Sequence, residues 1–444
     1  MKKNVEPTLG SGFRDYLPKD MIPRQKMLDI IRKTFEEFGF LPLDTPGIER
    51  EDILTGGDEN FKMQIFRIDD QEESEDKFAL RFDLTVPLAR VISMHRELER
   101  PFKRYQTGKV WRGEKPQVGR FREFVQFDAD IVGSTTVLAD AEMISLIYET
   151  MTNLGFENFI IKINNRKILN GLVKYLDIDT DSISQVLRSI DKIDKIGWPG
   201  VARELEEKAV LSKEKLSKLN EFLELRGFDH DDTFSKMESL LNNSSTAIEG
   251  VEELRKISRY LTSFNIPSSK WAIDLSVVRG LGYYSGTIFE TVLLDLPTIG
   301  SVFSGGRYDN LISRFSNHST PATGASIGVD RLFAAMEQLK LVSHSGSLSK
   351  VLVLNFDPEA EQAAIQVVSN LRKNEIPSEI YFGKNSTIKE QLAYALRQEI
   401  QLVIIIGENE KKRGVAQIKD LSSRKQIEVQ IPDILSEVKR LLSI

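Results

Sequence analysis

The densest run of chemistry-bearing side chains is Trp111-Arg112-Gly113-Glu114-Lys115-Pro116-Gln117-Val118-Gly119-Arg120-Phe121-Arg122-Glu123-Phe124-Val125-Gln126-Phe127-Asp128-Ala129-Asp130. Two extended segments flank a basic loop here. Alternation with a period of two puts Arg120, Arg122, Phe124, Gln126, Asp128 and Asp130 on one face of the second segment, a face that a hydrophobic core does not accept. Two readings stay open, a binding site and a solvated sheet face with incidental ion pairs. As a site it suits a nucleotide, because guanidinium groups pair bidentately with phosphate oxygens and an aromatic ring gives adenine a stacking surface.

Three further clusters carry the same kinds of groups. In Leu80-Arg81-Phe82-Asp83-Leu84-Thr85-Val86-Pro87 an acid and a hydroxyl stand at a strand end. They can receive a substrate ammonium group, or cap the helix that begins near Pro87. Arg279-Gly280-Leu281-Gly282-Tyr283-Tyr284-Ser285-Gly286 approaches a dinucleotide fingerprint, but Ser285 stands where the third glycine belongs and no βαβ unit surrounds it. Two tyrosines beside an arginine, between glycines that permit close approach, fit a small polar-aromatic ligand or plain strand packing. The fourth cluster is Ser304-Gly305-Gly306-Arg307-Tyr308-Asp309 followed by the run from Ala322 through Gly324, Gly328 and Asp330 to Arg331. Its glycines let a ligand lie against the backbone. Arg331 falls in a first helical turn, which the helix dipole disfavours for a cation, so either a ligand uses it or it is solvated. The chain has no GxxxxGK[ST], so an ATP site here is not a P-loop.

Positioning these groups requires a sheet. Leu28, Ile31, Phe35 and Phe38 share one face of a helix over Asp20 to Phe38, closed by Gly39, and Phe40 to Pro46 is extended like an edge strand. Phe78 to Asp83, Phe102 to Trp111 and Phe121 to Val132 read as strands of one antiparallel sheet. From Asn164 to about Ser263 the texture turns to charged, leucine-spaced helices. Strand character resumes at Trp271 to Leu275 and Thr287 to Leu294, before a glycine-rich hairpin and a helix near Asp330. Beyond a serine-rich linker, strands and helices alternate as in a small α/β domain. The 444 residues suggest about three domains. The expected division is a first core segment over 1–163, a helical insertion over 164–263, a second core segment over 264–342, a linker over 343–349 and a C-terminal domain over 350–444.

Composition narrows the chemistry. No apolar run approaches the roughly 18 residues that span a bilayer, and no signal or transit pattern stands at the N-terminus, so no membrane association and a cytoplasmic location are expected. Zero cysteines exclude disulfides, thiolate zinc sites and cysteine nucleophiles. The four histidines, His95, His230, His318 and His344, are scattered and match no metal motif, so no metal site is expected in the protein itself. Catalysis must then use carboxylates, arginines and backbone. With a net charge of −6, an RNA partner would be held by local basic patches; Lys411, Lys412 and Arg413 are one such run, or a solvated basic turn.

In this order the clusters resemble the signatures of class II aminoacyl-tRNA synthetases, and among them the histidyl-tRNA synthetase family. The segment ending at Pro46 is similar to motif 1, Arg112-x-Glu114 through Arg120-x-x-x-Phe124 to motif 2, and Gly324-x-x-x-Gly328-x-Asp330-Arg331 to motif 3. Arg279 to Gly286, Ser304 to Asp309 and Gly12-Phe13-Arg14-Asp15-Tyr16-Leu17-Pro18 resemble peptides of the histidine family, so the likeness covers essentially the whole chain. It implies an α+β fold: a mixed, mainly antiparallel sheet core with a helical insertion, plus a C-terminal α/β anticodon-binding domain. It implies activation of L-histidine with ATP and Mg2+ and transfer to tRNA-His by a homodimer. Catalytic roles fall on Arg112 and Arg279. Histidine binding falls on Asp83, Leu84, Thr85, Arg112, Gln126, Asp130, Arg279, Tyr283 and Tyr284, with Asp130 and Tyr284 reading the imidazole; ATP binding falls on Arg112, Glu114, Arg120, Phe124 and Arg331. The chain has Gly282 where the family usually has aspartate, Ser11 where arginine is common and Asn165 where aspartate is common. The alternative is a histidine-binding regulatory paralogue, the regulatory subunit of ATP phosphoribosyltransferase, which lacks aminoacylation and the C-terminal domain. Retention of Arg112, Arg279 and the residues after the linker favours the enzyme.

Overall fold

The computed structural model describes residues 5–56, 65–69, 76–113, 121–227, 230–279, 283–316, 318–344, 346–383 and 386–444. The chain divides into two compact units, Met1–Arg14 with Asp29–Leu341, and Asp15–Leu28 with Val342–Ile444. In chain order the strands of the first unit are β1 (Leu41–Pro42), β2 (Ile48–Arg50), β3 (Phe66–Ile68), β4 (Phe78–Leu80), β5 (Phe102–Trp111), β6 (Glu123–Val132), β7 (Phe159–Asn165), β8 (Arg226–Gly227), β9 (Trp271–Asp274), β10 (Thr287–Leu293), β11 (Phe303–Arg307) and β12 (Ala322–Gly328).

Nine of them form one sheet in the order β1-β5-β6-β12-β11-β10-β7-β9-β8. Only β1 with β5 and β7 with β9 pair in parallel; the other pairs are antiparallel. The backbone of the site is the β5–β6 ladder, which runs unbroken from Phe102 opposite Val132 to Trp111 opposite Glu123. Its two faces differ as the alternation predicts. Odd-numbered Tyr105 and Phe127 meet Phe35 of the helix Pro18–Glu37 edge-on, at ring separations of 6.3 and 5.1 Å. Even-numbered Arg104, Gln106, Gln126, Asp128 and Asp130 lie on the opposite face, and all five are buried. Gly39, at φ 77°, ends that helix as expected.

Two strand expectations need correction. Phe78 to Asp83 does not join the main sheet: β4 sits at the centre of a separate three-stranded sheet, β2-β4-β3, over a core of Leu54, Ile65, Ala79, Phe82 and Val86. No strand is expected from the sequence between Val132 and Asn164, yet β7 lies inside the main sheet between β10 and β9. Its Phe159, Ile161 and Ile163 are fully buried, and a short apolar-rich run of that kind does not separate strand from helix by periodicity alone.

The leucine-spaced region is helical: Arg166–Tyr175, Thr180–Ile190, Ile193–Glu207, Lys213–Glu224, His230–Leu240 and Ser245–Ser263. Leu172, Leu187, Leu205, Phe222 and Leu254 form its dry interior. Serine and asparagine caps set its boundaries, with Ser212, Ser244 and Asn165 each accepting a backbone N–H of a first turn. The exception inside this region is β8, which pairs with β9.

In the second unit, β13 (Val351–Val353), β14 (Ser378–Ile380), β15 (Leu402–Ile405), β16 (Val415–Asp420) and β17 (Gln426–Gln430) form a mixed sheet in the order β14-β13-β15-β16-β17. Val351 and Val353 face one apolar layer with helices Glu361–Lys373 and Ile434–Leu442, while Leu352 and Leu354 face another with Ala395 of Ile388–Arg397. Lys411, Lys412 and Arg413 form the last turn of the helix Glu408–Arg413, closed by Gly414 at φ 71°. All three have intramolecular partners, the Glu359 carbonyl, Glu408 and Glu428 respectively. No helix among the described residues is long and apolar enough to cross a membrane.

One buried ion pair ties the helix Leu138–Asn153 to the sheet. Arg307, at the end of β11, donates to Asp140 Oδ2 at 2.7 and 3.0 Å and to the carbonyls of Ser134 and Thr136 at 2.9 Å. Burial still pushes Asp140 up to about 6. Asp140→Ala leaves this guanidinium buried without its carboxylate, and is expected to cost about 3–5 kcal/mol, read as a lower urea midpoint.

Candidate active site

Asp83, Thr85, Arg112, Phe124, Gln126, Asp130, Arg279, Tyr283, Tyr284 and Arg331, distant in sequence, line one cavity of about 300 Å³. Leu84 does not; its side chain is fully buried, and its contribution is a carbonyl that accepts from Arg104 at 3.2 Å. Glu114, Arg120 and Gly282 lie outside the described residues.

The floor is built by cross-strand register. Opposite Asp128 stand Gln106 on β5 and Ser326 on β12, and the row continues through Ser304 on β11 to Glu290 on β10. One row deeper, Asp130 lies between Arg104 and Gly324. A β-carbon at residue 324 would stand 1.8 Å from Asp130 Oδ1, so only glycine lets that carboxylate lie across the neighbouring strand. Arg104, with no solvent exposure, holds Asp130 Oδ2 at 2.7 Å, and the Tyr308 hydroxyl donates to Oδ1. Burial raises the Asp130 carboxyl, against the charge of Arg104 and the hydroxyl of Tyr308. Burial also raises Tyr308 well above the ordinary phenol, with the Asp130 charge adding, so it is a proton donor throughout the neutral range.

Toward the start of β6 the lining becomes cationic and aromatic. The Arg112 guanidinium stands 5.0 Å from the Phe124 ring centre, and its Nε donates to the Phe82 carbonyl at 3.2 Å. Arg331 lies in the first turn of the helix Val329–Gln338, where its guanidinium donates to the Ser301 carbonyl at 2.7 Å. Asp330 beside it accepts the Val125 N–H at 2.9 Å and faces Arg14 at 3.4 Å, which pins the helix start to β6. Arg279 is half exposed, and Glu290 holds its Nε at 2.6 Å. From Phe124 to Asp130 is six strand steps, roughly 20 Å at about 3.3 Å each, so one face runs from an arginine end to an acidic end.

The two open roles of Asp83 are now separable. Its Oδ1 accepts the Val86 N–H at 3.1 Å, capping the helix Thr85–Met94, while the carboxylate still lines the cavity and burial raises its pKa. Arg307 of the glycine-rich motif turns into its pair with Asp140 instead, and Arg81 is spent on the Thr45 and Lys109 carbonyls. Arg122 leaves the row expected of it and packs near Phe66. Sequence reasoning assigned no role to Arg104, Asp128, Glu290 or Tyr308. Arg104 is the most telling omission, because it shares the even face of β5 with Gln106, the face whose cross-strand partners are Asp130 and Asp128.

Gly324→Ala is expected to displace the Asp130 carboxylate and weaken binding of the cavity's ligand at its acidic end, with a stability loss of about 1–3 kcal/mol. Equilibrium unfolding and ligand titration on the variant check both.

Similarity to known proteins follows the same layout. A family model described as histidyl-tRNA synthetase matches residues 12–332, and one described as an anticodon binding domain matches 350–441. A histidine–tRNA ligase of Clostridium tetani is 43% identical over 99% of this chain and 100% of its own length. One from Wolinella succinogenes is 42% identical over 94% of each chain. The crystal structure of a histidyl-tRNA synthetase from Nostoc sp. PCC 7120 superimposes with a TM-score of 0.88 at 33% identity, covering 99% of this chain and 100% of that one. Likeness this even, across the cavity and the C-terminal domain alike, is more than a shared fold: the chain belongs to the histidyl-tRNA synthetase family.

Proposed function

We propose that the cavity condenses L-histidine with ATP and that the aminoacyl group then passes to tRNA-His. The observation that carries this reading is one cavity along the polar face of β6, with Arg112 against Phe124 at one end and acids at the other. Histidine lies at the acidic end, its ammonium group toward Asp83, Thr85 and Gln126 and its ring toward the floor at Asp130 and Tyr284. ATP lies at the other end, its adenine between Phe124 and Arg331. In this reading Arg112 and Arg279 take the histidine carboxylate and the α-phosphate.

A carboxylate oxygen of histidine attacks the α-phosphorus, the bond to the bridging oxygen breaks, and pyrophosphate leaves. Negative charge grows on the phosphoryl oxygens as this happens. Guanidinium groups already fixed by Phe82, Phe124 and Glu290 meet that charge without rearranging. In the second step a hydroxyl of the terminal tRNA ribose attacks the acyl carbon and AMP leaves. Magnesium would shield the pyrophosphate oxygens. Among the described residues Asp330 and Glu290 are already engaged by Val125, Arg14 and Arg279, so we assign the ion no protein ligand and route no step through it.

The same reading makes the helical stretch 164–263 an insertion that meets the acceptor arm of tRNA, between core segments 1–163 and 264–342. It makes 350–444, after the linker 343–349, the reader of the anticodon. The segment through Pro46 supports a homodimer, and tRNA charging places the protein in the cytoplasm. A regulatory role in histidine biosynthesis is not favoured, because full-length relatives near 40% identity are ligases and the anticodon-binding match is present.

Exchange of labelled pyrophosphate into ATP should depend on histidine and on no other amino acid. Arg279→Ala is expected to lower that exchange by roughly 10²–10³-fold, and Glu290→Gln by a smaller factor, with little change in stability. Histidine binding without exchange in the unaltered protein would favour a sensor instead.

A further inference from the structure

Residues 12–14 have no task in the mechanism above, yet they fasten the N-terminal segment to the nucleotide end of the cavity at three points, one per residue. The Gly12 carbonyl accepts the Arg122 N–H at 2.8 Å, and the Arg122 carbonyl accepts the Arg112 N–H at 2.8 Å. Two backbone hydrogen bonds thus separate this segment from the arginine placed at the α-phosphate. Gly12 has φ 87°, and a β-carbon there would stand 2.8 Å from Arg122 Cγ, so only glycine brings the carbonyl this close. Phe13 meets Phe66 of β3 edge-on at 6.2 Å, and the Arg122 guanidinium lies 5.9 Å from the same ring. The Arg14 guanidinium stands 4.4 Å from the Phe121 ring centre and 3.4 Å from Asp330 Oδ1. Phe121 and Asp330 both line the cavity, while Arg14 does not.

Those two residues belong to different walls. Phe121 leads into β6, which carries Phe124, and Asp330 stands beside Arg331 in the first turn of the helix Val329–Gln338. One oxygen of Asp330 takes the Val125 N–H at 2.9 Å and the other faces Arg14, so the Arg14 side chain bridges the two walls at their ends. We propose that Arg14 is a positioning residue for the nucleotide, setting the gap between Phe124 and Arg331 in which adenine stacks. This rests on the ATP reading above and extends it to a residue outside the cavity lining. A sandwiched base touches both walls at only one gap width, and misplacing a wall by about 1 Å costs on the order of a hundredfold in rate. A planar guanidinium suits the task, because it lies against a ring and offers N–H groups to a carboxylate at the same time, whereas a lysine ammonium meets one or the other. Arg14 is 38% exposed, so its pair with Asp330 adds little to stability. Its consequence is local, ordering the site rather than the fold.

Pyrophosphate exchange by the full-length protein, with ATP and histidine varied in turn, tests this. Arg14→Ala should raise KM for ATP by roughly tenfold, short of the full loss because Val125 still holds Asp330. KM for histidine and the melting temperature should stay near wild type. Arg14→Lys should recover part of the ATP effect. In an Asp330→Asn background Arg14→Ala should cost less than it does in wild type, because the two residues act through one contact. An unchanged KM for ATP in Arg14→Ala would overturn the proposal. So would a parallel rise in both KM values with a lowered melting temperature in Arg14→Ala and Arg14→Lys alike, which marks a structural residue. A wild-type protein showing no histidine-dependent exchange would instead overturn the functional reading beneath it.

Discussion

A guanidinium shut off from solvent must be neutralised where it lies, and Arg104 is neutralised by Asp130 at 2.7 Å. Much of the amino-acid end of the cavity follows from that pair. The Leu84 carbonyl supplies a further acceptor, which fixes the chain just before the helix Thr85–Met94 and so places Asp83 and Thr85. Tyr308, the residue after β11, completes Asp130, and Gly324 leaves the carboxylate room to lie across β12. Breaking such a pair leaves a bare buried charge, which costs far more than the intact pair contributes. The network therefore specifies one arrangement of four strands more than it stabilises the fold.

Preorganisation at the other end uses weaker contacts on more exposed groups. Arg112 rests near an aromatic face, Arg279 leans on one carboxylate, and Arg331 reaches a carbonyl from a helix start that disfavours it electrostatically. Arg112 and Arg279 bind the Phe82 carbonyl and Glu290 through Nε, which turns their terminal nitrogens to phosphate oxygens in the proposed reaction. The acidic floor is fixed before any ligand arrives, while the arginines retain reach. That division suits a reaction in which the amino acid must be selected strictly and the charge develops on phosphorus.

Much of this was legible in the sequence because strand alternation is a strong code. Gln126, Asp128 and Asp130 share a face simply by spacing, and the arginine motifs announce phosphate chemistry. What stayed hidden was tertiary. Nothing local distinguishes Arg307, which turns inward to Asp140, from Arg279, which faces the cavity; their partners lie far away in sequence or on another strand. β7 is too short for periodicity to separate strand from helix, and β4 belongs to a different sheet from the one expected because pairing partners cannot be read from one strand.

The central claim is that one continuous face of β6 orients two ligands end to end. A crystal structure with histidine and a non-hydrolysable ATP analogue tests it most directly. The account requires the imidazole to lie at Asp130 and Tyr284, with the α-phosphate between Arg112 and Arg279 and the adenine at Phe124. An imidazole bound at the arginine end, or a nucleotide outside this cavity, would contradict it.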